Sequence, residues 1–234
     1  MIIIGSVSGC IINFEDLLKI TADLAVILGG LFALYQYCKQ KKLNRIRDAI
    51  DIAKYFATDI VDMAGFICAM FHGDSCIHGI IEKHLEDIKN AKYFTRQKYF
   101  DMFTDEERKM YDDFLKTKID IGGGKHVHLG RMIQDVTNEL EHCSIRFNSG
   151  LADDKAVYQS MHQVIFELFP CIYPYISRIN ENTTDQYYTN LCELYLRWNK
   201  IREKSIKKET KEQRKLQRYT ERHSRKGAVR TPKI

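Results

Sequence analysis

The residue types that could do chemistry are eight histidines and seven cysteines, and one group of them has spacing that suggests a site. Cys68, His72 and Cys76 recur every four residues, and His78 follows two later. On a helix the first three would share one face, and a Cys2His2 set suits tetrahedral zinc. Gly73 and Asp74 argue against it, because they form a helix stop between His72 and Cys76. The other reading is an apolar helix end with incidental histidines. His126 and His128 alternate as on a short strand or loop, and could serve as ligands or a general base, yet no carboxylate stands at a fixed spacing beside them. Gly122-Gly123-Gly124-Lys125 resembles a phosphate cradle but lacks the Gly-x4-Gly-Lys-Ser/Thr spacing and the strand such a loop follows. No Gly-x-Ser-x-Gly, His-Glu-x-x-His or dinucleotide fingerprint appears in the sequence. Asp153-Asp154 pairs two carboxylates where a helix begins, and such a pair serves as a cap complementing the dipole. The expectation is therefore a chain with no catalytic residues, no metal site and no cofactor, and not an enzyme.

The seven cysteines are odd in number and scattered, with no Cys-x-x-Cys pair. That fits reduced thiols in a cytosolic compartment, most of them acting as small apolar core residues. With only 3 prolines and 13 glycines in 234 residues, the chain lacks the turn punctuation of an all-β protein. A formal net charge of +5 conceals a division. Residues 200–234 hold 14 basic and 4 acidic side chains, so this tail carries +10 and the rest of the chain −5. Lys200, Arg202, Lys204, Lys207, Lys208, Lys211, Arg214, Lys215, Arg218 and Arg222 would form a cationic helix or arm that binds nucleic-acid phosphates, anionic lipid or an acidic protein. A solvated face that only aids solubility is the plainer reading. With Tyr219 as its one aromatic, the arm is not built to stack bases.

The elements that position these groups begin with a membrane segment. Ile20 to Cys38 is nearly uncharged, with Leu24, Val26, Ile27, Leu28, Gly29, Gly30, Leu31, Phe32 and Leu34 at its centre. Counted from Leu17 it has the roughly 20 residues that a bilayer core of about 30 Å requires. Lys39, Lys41, Lys42, Arg45 and Arg47 follow at once as an orientation collar, and the positive-inside rule then places the body in the cytoplasm. A buried core helix would be the alternative. Met1 to Phe14 is apolar but too short to span, and reads as a short first leg of a helical hairpin or as an interfacial tail. Ala25, Gly29 and Ala33 make a small-residue line along which another helix could approach, favouring a homo-oligomer.

The body reads as helices. Ile46, Ala49, Ile50, Ala53, Phe56, Ala57, Ile60, Ala64 and Ile67 give one apolar face. Thr104-Asp105-Glu106-Glu107 has the form of a capping box opening a helix from Asp105 to about Lys116. A further face runs Leu129, Met132, Ile133, Val136, Leu140, Cys143, Phe147, ending at Asn148-Ser149-Gly150, and Asp153 can open the next helix, Asp154 to Ile179. Pro170 and Pro174 predict a break or kink there, and the segment's apolarity suits a core helix better than a second span. Tyr187, Leu191, Leu194, Tyr195, Trp198 and Ile201 form the last face, with disorder expected beyond about Arg222. The fold class expected is all-α: a membrane anchor (1–43), a cytoplasmic helical bundle (44–199) and a basic helix or tail (200–234).

The runs Asn138-Glu139-Leu140-Glu141, Phe147 to Asp153 and Tyr158 to Gln163, with Tyr187 to Asn190, Leu194-Tyr195 and Trp198, resemble a poorly characterised bacterial family. Its members have one N-terminal membrane helix and a helical cytoplasmic domain, and relatives of this kind occur in anti-phage loci. Some resemble the membrane effectors of retrons, in which a reverse transcriptase and its RNA–DNA product accompany a toxic protein. The resemblance implies a membrane effector of abortive infection, held inactive by a partner protein or a reverse-transcriptase/RNA–DNA complex and acting by disrupting inner-membrane lipid. The alternative is a non-toxic, membrane-tethered module that recruits nucleic acid or an acidic partner through its tail. A metal-dependent hydrolase built on the histidine groups is a third reading.

Overall fold

The computed structural model describes residues 3–7, 10–91, 102–181 and 186–227, with side chains over 15–91, 102–181 and 186–220. The chain is all-α, as expected, with two small strand pairs. Helix α1 spans Phe14–Tyr55, a rod of 42 residues and about 63 Å. A π-turn, Phe56–Ile60, leads into α2, Val61–Gly73. Then come α3 (Ser75–Lys83), α4 (Leu85–Lys89), α5 (Asp105–Leu115), α6 (Leu129–Asn148), α7 (Asp154–Ile179) and α8 (Thr189–Gly227). In the body α2 lies against α7, α6 against α8, and the last turns of α1 against α7.

Local chemistry sets the boundaries. The Thr104 hydroxyl accepts from the Glu107 amide and the Glu107 carboxylate from the Thr104 amide, so the expected capping box starts α5. Asp74 caps α3 by accepting from the Cys76 and Ile77 amides, and Asp153 caps α7 by accepting from the Lys155 amide. Gly150 leaves α6 with φ +71°, a conformation that costs glycine nothing.

Several expectations need correction. Residues Ile3–Val7 pair antiparallel with Cys10–Asn13, so the segment before the apolar helix is a strand pair and not a short helical leg. Its Ile and Val content is what a pleated strand favours, and fourteen residues make a poor spanning helix. The buried line on the first body helix runs Ala49, Ile52, Phe56, Ile60, Ala64, Ile67, Phe71, whereas Ile50 is 44% exposed and Ala57 faces outward. The π-turn explains the shift, since its extra residue lets steps of four follow one another from Ile52 to Ala64 without rotating the face away from the core.

The prolines do not break α7. It continues as one helix from Asp154 to Ile179, with Pro174 buried inside it. A proline displaces carbonyls of the preceding turn. Here the carbonyls three residues before each proline take side-chain donors, Tyr111 Oη to the Cys171 oxygen at 3.3 Å and Cys171 Sγ to the Glu167 oxygen at 3.8 Å. The segment lies in the core, as expected for a core helix. Tyr187 stands outside α8 and is 51% exposed, so the last face begins at Leu191. Helix α8 continues past Arg222 to Gly227, and residues 228–234, the rest of the tail expected to be disordered, lie outside the described residues. Both divisions of the chain, near residues 43 and 200, fall inside continuous helices.

Candidate functional site

The last helix carries the largest net positive charge, and its geometry follows from the sequence at about 100° per residue. Lys200, Lys204, Lys207, Lys208, Lys211, Arg214, Lys215 and Arg218 are all exposed and fall within an arc of about 120°. Leu191, Leu194, Tyr195 and Trp198 lie on the opposite face and are buried. From Glu203 to Thr220 nearly every side chain is exposed, so α8 leaves the body as a cationic rod of about 27 Å. Arg222 continues the arc by position, but its side chain lies outside the described residues. Arg202 does not belong to the stripe. It turns back onto the body, with its guanidinium 4.5 Å from the Phe166 ring centroid. Cation–π attraction and a half-buried stem hold it there, so it is not a free phosphate ligand.

A polar network fixes the root of this rod. Glu141 of α6 accepts from the Asn190 and Leu191 amides at 3.2 and 2.8 Å and from Asn190 Nδ2 at 2.9 Å, capping α8 from a neighbouring helix. Tyr188 Oη donates to Asn138 Oδ1 at 2.9 Å, and Asn148 Oδ1 accepts from Arg197 Nη1 at 2.9 Å. Asp154, beside the capping residue, accepts from both Arg197 and Trp198. The runs that carried the family resemblance are thus the residues that dock α8 onto α6 and α7. Arg197 had no signal in the sequence, because its partners lie 43 and 49 positions away.

At the other end, the apolar stretch of α1 is unburied. Leu24, Val26, Ile27, Leu28, Leu31, Phe32 and Leu34 are each 52–75% exposed, with Gly29 and Gly30 exposed between them. It is the one helix among the described residues long and apolar enough to cross a membrane, and none of that window is buried in the body. Lys39, Lys41, Lys42 and Arg47 are exposed and Arg45 is half-buried, before Ala49 begins the core.

The cysteine–histidine group does not converge. The His72 and His78 rings meet edge to face at 4.9 Å, but Cys76 is exposed in the first turn of α3. Cys68 shares a hydrogen bond with the Cys171 thiol, which lowers the Cys68 pKa, while that bond and burial push the Cys171 thiol up. No three His, Cys, Asp or Glu side chains among the described residues are grouped to hold a metal ion. His126 and His128 lie on a short strand (His126–His128) paired with Lys118–Asp120, and His128 Nδ1 is 2.8 Å from the Lys116 carbonyl. Gly122, Gly123 and Gly124, all at positive φ, form the turn of that hairpin. His72 and His78 instead line a cavity of about 220 Å³ with Glu82, Lys89, Glu167 and Arg202 around an apolar floor including Phe71 and Phe166. Sequence reasoning missed this cavity because its walls come from five helices, α2, α3, α4, α7 and α8.

A family model described as a domain of unknown function (DUF4760) matches residues 23–198. The chain belongs to the DUF4760 family. The DUF4760 match takes in most of the apolar stretch of α1 and ends at Trp198, the last fully buried residue of α8. The cationic rod therefore lies beyond the DUF4760 region. Neither the comparison with curated proteins nor that with solved structures gives a match.

Proposed function

We propose that the protein is a membrane-anchored, non-enzymatic effector whose cytoplasmic body is controlled by a phosphate-rich or acidic partner bound along the cationic face of α8. The observation that carries this reading is the pairing of two unburied rods on one helical body: an apolar one long enough for a bilayer and a cationic one. The collar that follows the apolar rod favours an inner-membrane anchor with the body in the cytoplasm. Exposed Gly29, with Ala25 and Ala33, offers another copy of the span a close approach, which favours self-association on activation. The resemblance to effectors in anti-phage loci, including those of retrons, supports abortive infection by membrane disruption and a ribonucleoprotein partner.

The test is to express the chain alone and follow membrane potential and viability, with a variant lacking Leu17 to Cys38 as control. Collapse of the potential that requires the span is the expected result. An undisturbed potential, with toxicity that survives the deletion, would remove the membrane-disrupting role. Healthy cells in which the protein still retains nucleic acid in a salt-sensitive manner would establish instead the tethered recruiting module, which the stripe on α8 serves equally well.

A further inference from the structure

A cavity of about 310 Å³ lies where α1 leaves its apolar stretch. One wall is α1, with Tyr37, Lys41, Asn44, Arg45 and Asp48, and the other is the α6–α7 turn at Gly150 and Leu151. Steps of three and four put the α1 residues on one face of that helix. Lys39 and Lys42 fall on the other side of it, so the collar is divided between two faces. The turn is fastened in place, because the Asp153 amide donates to the Arg45 carbonyl at 3.1 Å.

The cavity has a surplus of positive charge. Asp48 is its one acid and stands 3.8 Å from Arg146, which leaves Lys41 and Arg45 as the excess. Arg45 Nε is enclosed yet has no hydrogen-bond partner among the described residues, a donor that asks for an acceptor. At the mouth Leu151 is 59% exposed and Tyr37 62% exposed. An apolar tip and an aromatic ring beside two cations suit the boundary between acyl chains and headgroups.

Depth agrees with that placement. With the apolar run ending at Cys38, Lys41 falls about 5 Å and Arg45 about 10 Å beyond it. The headgroup layer is roughly 5–7 Å thick on each side, so Lys41 lies within it and the Arg45 backbone a few ångström beyond its cytoplasmic edge, from where the long side chain can reach back to a phosphate.

We propose that this cavity binds one anionic phospholipid. Lys41 and Arg45 hold the phosphate, Tyr37 and Asn44 meet headgroup hydroxyls, and Leu151 covers the first part of an acyl chain. The site rests on the anchor reading and fixes how deep the body sits against the membrane. The α6–α7 turn then touches the leaflet directly, giving the body a second point of attachment.

The experiment uses the full chain in nanodiscs of phosphatidylcholine alone or with one-tenth phosphatidylglycerol. Wild type is compared with Lys41→Gln/Arg45→Gln, with Leu151→Ser, and with the charge-matched control Lys39→Gln/Lys42→Gln. Native mass spectrometry counts the phosphatidylglycerol retained after release, and circular dichroism checks that each variant keeps its helix content. The expected result is one lipid per chain in wild type and control, and at least about tenfold less retention in Lys41→Gln/Arg45→Gln, given roughly fivefold per cation. Leu151→Ser is expected to weaken retention with both cations intact, and soluble glycerol phosphate is expected not to displace the lipid. Equal retention in the two double variants, or equal loss in both, would mean a diffuse collar and overturn the site. Displacement by glycerol phosphate would mean a phosphate site without lipid specificity, which overturns it too. Failure of every form to enter nanodiscs of either composition would overturn the anchor reading and the site together, whereas entry without a retained lipid overturns the site alone.

Discussion

Arg197 donates both Nε and Nη2 to a single oxygen, Oδ2 of Asp154, at 3.1 and 2.9 Å. The same oxygen accepts the indole N–H of Trp198 at 3.0 Å, and the indole is fully buried. Asp154 thereby joins the first turn of α7 to the last buried turn of α8. Asp154→Ala would leave a half-buried guanidinium and a buried indole N–H without their acceptor. The expected loss is about 2–3 kcal/mol in urea unfolding, with Asp154→Asn losing less. Since Trp198 is the one tryptophan, its emission reads the same change directly, and an unshifted spectrum with unchanged stability would contradict this role.

Acid should release a second fastening. Burial pushes the Glu107 carboxyl up, but the Lys83 ammonium at 2.6 Å and the Thr104 amide outweigh it and hold the pKa at about 2, against 4.5 for an ordinary glutamate. A depressed carboxyl stabilises the fold above its unfolded pKa and loses that contribution as pH falls. The contribution is complete above about pH 4.5 and declines towards pH 2. Lys83 is 57% exposed, so solvent screening reduces the gain to on the order of 1–2 kcal/mol. The stability difference between wild type and Glu107→Gln should be constant from pH 8 to 6 and shrink on acidification. A difference that grows in acid would refute the assignment.

How far this could be read in advance depends on distance along the chain. Thr104 with Glu107, Asp153 at its helix start and the Asp154 to Ile179 boundaries are local patterns, and the structure follows them closely. Ile52 is buried and Ile50 exposed, against a straight-helix pattern, because a π-turn several residues later resets the face. Pro174 lies within an unbroken helix where Tyr111, sixty positions from Cys171, donates to the Cys171 carbonyl, a partner that no local pattern reveals. Asp154 looked like a cap and is an interhelical acceptor for the same reason. Of the nine tail cations whose side chains are described, Arg202 alone is drawn into the body, by a ring on another helix.

The exposed cations of α8 make a quantitative expectation. If they bind duplex nucleic acid, the logarithm of the binding constant should fall linearly with that of salt, at about 0.9 per phosphate neutralised. Lys207→Glu/Lys211→Glu/Arg214→Glu should flatten that slope by roughly three contacts. Arg202→Gln should leave it unchanged, because its charge sits on Phe166. A slope lost equally in both variants would mean that the stripe is not the contact.

Thiol reactivity should divide by burial. Cys76 is exposed, whereas Cys143 and Cys192 are buried, burial pushing Cys143 up to about 11 and Cys192 well above the ordinary thiol. Brief alkylation at pH 8 followed by mass spectrometry should label Cys76 in the folded protein, and Cys143 and Cys192 only after denaturation. Early labelling of Cys192 would signal that α8 detaches from the body.

For the anchor, Leu28→Lys with Leu31→Lys places two cations in the middle of the apolar stretch at about 2.5–3.5 kcal/mol each on insertion scales. Wild type should stay with membranes through alkaline extraction and the double variant should be released. Retention of both forms would point to attachment by some other part of the chain.

Helix α1 enters the core without a loop, so its apolar stretch has a fixed azimuth relative to the body: it cannot turn on its axis without pulling Ala49, Ile52 and Phe56 from their contacts. At about 100° per residue, the line Ala25, Gly29, Ala33 lies on roughly the opposite side of that rod from those three. Two copies joined along this line would stand back to back, their bodies splayed outward. Bodies splayed in this way would leave the cationic faces of both α8 helices accessible at the same time.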